Sequence, residues 1–414
     1  MFLNVMIVTF LLGLQVEASA QSAPQELKNN WPGFRGKHSG VLAADMIFPV
    51  AWNLQSGENI LWKMPIDKHG MSSPIVWEKR IFITGADHQS RDVYCVDADT
   101  GKLAWKHAVS ALPDAPADFV PPRVLEATGY AAPTMATNGR FVAAIFATGE
   151  LVCLDINGER IWTKYLGVPN NHYGHASSLI CDDERLYVQY DQKDNSKLLA
   201  LNIATGELVW TAEREQMSWS SPILVDNAGR AELILTDSKF VVSYDPASGE
   251  RYWRVECLSG EIASSATYSD GVVFVANEGA PATAIDISQH DQEPKILWQW
   301  DGDLPDTSSA VANKKFVLLP TAFGVVSCLD AKSGDVVWEH EFDHGFNSSP
   351  VLVSDRVYMI DLAGNAYVFK LGEEFELLGE SKLGEPVYAT PAFVGNRIFL
   401  RGLYHLFCIG EIQR

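Results

Sequence analysis

The feature that most constrains this chain is a sequence unit that returns eight times at a spacing of roughly 40 to 50 residues, the period of stacked supersecondary units. Each unit opens on small hydroxyl or small apolar residues, often followed by Pro. The openings are Ser72-Ser73-Pro74, Ala131-Ala132-Pro133, Ala176-Ser177-Ser178, Ser220-Ser221-Pro222, Ser264-Ser265-Ala266, Ser308-Ser309-Ala310, Ser348-Ser349-Pro350 and Ala389-Thr390-Pro391. A β-branched strand follows, and the unit closes on a turn and a Trp. In the clearest copies the turn reads Asp97-Ala98-Asp99-Thr100-Gly101 before Trp105, Asp245 to Gly249 before Trp253, and Asp330 to Gly334 before Trp338. Asp accepts bonds from the turn backbone, and Gly takes the positive-φ position, so a tight hairpin is expected. The Trp then offers a large apolar face to the next unit and an indole N–H that needs an acceptor.

Seven of the twelve Trp occupy this slot: Trp62, Trp105, Trp162, Trp210, Trp253, Trp298 and Trp338. Their role is read as structural, docking one blade on the next. Trp62 precedes the first opening, while the eighth opening is followed by no Trp, and in blade seven Leu378 stands where a Trp is expected. An all-β, eight-bladed β-propeller of four-stranded antiparallel blades follows, its ring closed by an N-terminal strand that completes the last blade and removes two free edges. Residues 62–410 divided by eight give about 44 residues per blade. The expected organisation is a signal peptide over 1–20, an N-terminal segment over 21–58 that packs on the propeller, and the propeller itself over 59–414.

The signal-peptide reading rests on the uncharged apolar run 2–16 followed by Ala18-Ser19-Ala20. That run is shorter than the roughly 20 residues a bilayer span needs, so no transmembrane segment is expected and the chain is placed in the periplasm or outside the cell, soluble after cleavage. With 52 acidic and 32 basic residues the net charge is −20, and no Lys/Arg run interrupts it. Nucleic acid is excluded as a partner on that ground. Cys95, Cys153, Cys328 and Cys408 recur in one slot of a strand on different blades. Such positions lie too far apart to bridge, so these four are expected as small buried thiols; Cys181 and Cys257 stay open.

The turn-and-Trp pattern resembles the repeat of pyrroloquinoline-quinone-like (PQQ-like) propellers, a group that includes quinoprotein dehydrogenases and the outer-membrane assembly lipoprotein BamB. The resemblance covers nearly the whole chain. The run Trp31-Pro32-Gly33-Phe34-Arg35-Gly36, with Gly40-Val41, Trp52 and Asn59-Ile60-Leu61-Trp62-Lys63, is more narrowly similar to bacterial PQQ-binding-like repeat proteins. Shared fold does not carry shared function. The dehydrogenases imply calcium-held PQQ, yet the chain has no adjacent Cys-Cys and no Cys-x-x-Cys-His haem signature. BamB implies a lipidated Cys, which is also missing at the cleavage site.

In a propeller, the segment ahead of each innermost strand reaches the channel mouth, where ligands are expected. His69, Tyr130, His172, Tyr173, His175, Trp219, Glu261, Asp306, Asn347 and Tyr388 stand there, and the Pro-rich connection 106–129 is expected to fold over the same face. His172 and His175 are spaced to share one ion, but without a Cys or carboxylate nearby in sequence they are read as mouth lining or small-ligand contacts. Glu261, Asp306 and Asn347 are the candidate set for a calcium–quinone site. No metal site, catalytic set, phosphate loop or nucleophile elbow is read from the sequence. The expectation is a non-catalytic binding or scaffold propeller of the cell envelope, with a protein partner or a small ligand at the mouth and no cofactor. A PQQ/Ca-dependent oxidoreductase and a BamB-like assembly factor are the alternatives.

Overall fold

A computed structural model describes residues 29–42, 44–110, 112–116 and 120–411. The expected signal peptide lies outside the described residues. Strands form eight antiparallel blades, six of four strands and two that carry a fifth. The innermost strands, in chain order, are Ile75–Trp77, Ala136–Thr137, Ile180–Cys181, Ile223–Asn227, Thr267–Ser269, Val311–Ala312, Val351–Val353 and Ala392–Val394. They define blades 1 to 8. The eighth blade takes its outer strand from Ile60–Pro65, which pairs with His405–Gly410 so that Trp62 lies opposite Cys408. The eight-bladed ring and its N-terminal closing strand are therefore as the repeat predicts.

Each Trp of the repeat docks on the turn of the following blade. The indoles of Trp62, Trp105, Trp162, Trp210, Trp298 and Trp338 donate to backbone carbonyls at distances of 2.8 to 3.3 Å. The turn Gly faces the neighbour's ring. A Cβ on Gly101, Gly158, Gly206, Gly249 or Gly334 would stand 2.5 to 2.7 Å from a Trp carbon, so Gly is required there by contact as well as by its positive φ. Blade 5, whose turn has the insertion and no Gly, breaks the pattern. Trp253 instead donates to the buried carboxylate of Glu232 at 2.7 Å, which also accepts from Ser243 and Arg230. Trp77 lies outside the repeat slot, yet it does the same work on an inner strand, covering Gly139.

Blade 7, which lacks its Trp, is covered by the N-terminal segment. Trp52, Phe48 and Met46 are buried in the core shared by blades 7 and 8, the Trp52 backbone N–H donates to Ser381 Oγ, and Val50 presses on Gly379. All six cysteines are free. Cys95, Cys153, Cys328 and Cys408 are fully buried, each opposite a Trp of its own blade.

The repeated hydroxyls close a ring. Ser73, Thr134, Ser178, Ser221, Ser265, Ser309, Ser349 and Thr390 each accept a bond from the backbone N–H of the equivalent residue one blade back, at 2.8 to 3.1 Å, and Ser73 accepts from Thr390 to complete the circle. These N–H groups face the channel with no strand partner, and an unpaired buried amide is costly. A hydroxyl on every blade satisfies them.

Candidate functional site

The connections between blades deliver the mouth residues. Between blades 2 and 3 come His172, Tyr173 and His175; between 3 and 4, Trp219; between 4 and 5, Glu261; between 5 and 6, Asp306; between 6 and 7, Asn347. Five of them converge. Tyr173 and Trp219 meet edge to face at 5.0 Å, and His172 lies 4.2 Å from Tyr173 and 5.7 Å from Trp219, all between ring centroids. Glu261 faces both, taking the Tyr173 hydroxyl at 3.3 Å and standing 3.5 Å from His172 Nε2. Trp219 is buried and its indole N–H has no partner among the described residues. Burial, then the Glu261 charge, raises the Asp306 carboxyl above the usual range, and the Tyr173 phenol is raised by burial and by the same carboxylates. The result is an aromatic notch edged by two carboxylates.

The remaining mouth candidates serve elsewhere. His175 is fully buried and stacks on Tyr190 at 5.2 Å, where burial lowers its pKa to about 4. It therefore does not share an environment with the exposed His172. Asn347 Oδ1 accepts from Thr307 at 3.0 Å. Tyr130 donates to Pro122 and lies under the Arg91 guanidinium, 4.6 Å away, while Thr128 bonds Tyr173, so residues 122 and 128 of the Pro-rich connection lie against the mouth. His69 meets Tyr404 at 5.9 Å, and Tyr388 stands half-buried between blades 7 and 8.

Calcium takes six to eight oxygen ligands. Glu261 is shared by His172 and Tyr173, Asn347 holds Thr307, and among the described residues no group of three or more His, Cys, Asp or Glu is arranged to hold an ion.

The other end of the channel holds what the repeat could not reveal. Asn30–Trp31 adds an antiparallel strand to blade 1, the chain then dips into the channel, and Val41–Leu42 adds a parallel strand to blade 7. At the bottom of the dip Arg35 is buried, bonding the carbonyls of Ser39, Ala266 and Ala310 and the hydroxyl of Thr267. Ala266 and Ala310 each follow a serine of the hydroxyl ring. Beside this plug, next to blades 3 and 4, is a cavity of about 450 Å³. Nothing in the run Trp31 to Gly36 marks it as a plug, because Arg35 finds its carbonyl partners on blades more than two hundred residues away.

Eight blades, indoles docked on neighbouring turns and a closing strand from the N-terminus together define a PQQ-like β-propeller. A family described as outer membrane protein assembly factor BamB matches residues 50–231 and 287–372, and the chain belongs to that family. Among solved structures it is similar to BamB from Moraxella catarrhalis, with a TM-score of 0.62 and 12% identity over 85% of this chain and 99% of that one. A europium-containing methanol dehydrogenase gives 0.67 and 12% over 93% and 99%. The quinohemoprotein alcohol dehydrogenase of Comamonas testosteroni gives 0.65 and 12% over 95% and 82%. At such identities the likeness is one of fold. No curated protein matches in sequence. Among the described residues no helix is long and apolar enough to cross a membrane.

Proposed function

We propose that this chain is a non-catalytic binding propeller of the cell envelope that takes a partner at the channel mouth. The observation that carries the reading is the notch of His172, Tyr173, Trp219, Glu261 and Asp306, assembled from four consecutive blade connections. Aromatic rings with an unpaired indole N–H and flanking carboxylates are recognition groups, and aromatic anchors dominate many protein interfaces. The envelope assignment is supported by the apolar run 2–16 and by the family's description. An assembly role of the kind that description names is the finer form of the same reading.

Capture from a detergent-solubilised envelope fraction, with Trp219→Ala and Glu261→Gln as controls, tests it. A partner retained by the parent chain and lost at least tenfold by both variants is expected. Equal recovery by all three would remove the notch from the reading. Reduction of an artificial acceptor on adding PQQ, Ca²⁺ and an alcohol would replace it with an enzymatic one.

A further inference from the structure

The hairpin end of the channel, opposite the mouth, has its own binding chemistry. Blade 4 presents the longest innermost strand of the ring, Ile223–Asn227, and residues 222–226 line the 450 Å³ cavity beside the plug. Ala228 and Gly229, at φ of 49° and 88°, form the two-residue turn that closes Asn227 onto Arg230. Bonded and non-bonded pairs alternate along such a ladder. The pairs at Asn227, Val225 and Ile223 are therefore the bonded ones, and the backbone N–H and C=O of Leu224 and Asp226 turn to the channel. Among the described residues nothing bonds that edge.

The chain itself shows that these inner edges accept an added strand. It lays Asn30–Trp31 on blade 1 and Val41–Leu42 on blade 7. Phe34, Ile223 and Val225 supply apolar wall in the cavity. Of the charged groups lining it, Asp182 is shared with Arg185 and the Tyr187 hydroxyl and Asp226 Oδ1 accepts from the Gly229 N–H, so Asp183 and Asp226 set carboxylates along the cavity on a molecule of net charge −20. Bare strand edges recruit extended segments, main-chain bonds supplying affinity and alternate side chains specificity.

We propose that the cavity beside the plug takes an extended peptide segment of a partner, in which apolar residues alternate with Lys or Arg, as an added strand on Leu224 and Asp226 of blade 4. This goes beyond the mouth reading and uses the opposite end of the channel. The probe is a capped, fluorescein-labelled heptapeptide of alternating Val and Lys, with two counterparts: one N-methylated at alternate amides and one with Glu for Lys. Amide exchange at Leu224 and Asp226 is expected to slow at least tenfold on adding the Val–Lys peptide, and anisotropy is expected to show at least tenfold weaker binding of each counterpart. Leu224→Pro removes an N–H that makes no ladder bond, so the blade is retained while the peptide is lost. Equal binding of the N-methylated or the Glu peptide overturns the proposal. So does an unchanged exchange rate at Leu224 and Asp226 with millimolar Val–Lys peptide. Trp219→Ala and Glu261→Gln should leave this binding unchanged, which separates its failure from that of the mouth reading.

Discussion

At the scale of single residues, burial changes the chemistry of groups that sequence alone presents as candidates. His175 sits among polar and aromatic neighbours in sequence, yet it is enclosed against Tyr190, and burial lowers its pKa to about 4. The unfolded chain takes up that proton near pH 6.5, whereas the native protein takes it up only near 4. The stability associated with a neutral His175 is therefore complete above about 6.5 and is lost as pH falls toward 4. The difference is about 3 kcal/mol. In denaturant titrations, the gap between the parent chain and His175→Gln is expected to close by about that amount between pH 7 and pH 4. A gap independent of pH would mean the imidazole titrates normally.

At the scale of the element, the docking unit is a Trp on one blade and a Gly on the next. Trp62 is half-buried, with its indole bonded to Ala98 O, so Trp62→Ala is expected to cost about 2 to 4 kcal/mol, the lower side of a core aromatic truncation. Gly101→Ala strikes the same contact from the other side. It combines a φ of +68° with a Cβ 2.6 Å from the ring, and is expected to cost about 1 to 3 kcal/mol. Because both changes break one contact, the double variant should fall short of the sum; an additive result in thermal or chemical unfolding would show that the two sites act separately.

The blades, their number and their docking residues were legible because each is a local pattern repeated. The hydroxyl ring was legible only as repetition: Thr134, one residue past its blade's opening, becomes a member through a bond to Ser73. The plug was not legible, since Arg35 finds its carbonyls on blades 5 and 6. The convergence of Tyr173, Trp219 and Glu261 also waits on the curvature of the ring.

At the scale of the whole molecule, the N-terminal segment is both latch and plug. It supplies the outer strand of blade 8, extra strands on blades 1 and 7, and the cover over the Trp-less blade 7. Removing residues 21–64 therefore leaves an unpaired edge on blade 8 and uncovers apolar core at the seam. Light scattering and thermal unfolding of the truncated chain are expected to show association and a lower, less cooperative transition. A monomer with an unchanged melting temperature would refute closure by this strand.

The pairing of Ile60–Pro65 with His405–Gly410 also sets a clock on synthesis. The first of these strands leaves the ribosome, or crosses a translocon, long before the second. At ordinary elongation rates the wait is on the order of tens of seconds. Through that interval the blades made one after another form an open arc whose two end blades expose the apolar faces that the closed ring buries. The exposed faces of such an arc are the kind of surface that holdase chaperones cover, and they are buried only once residue 410 has followed.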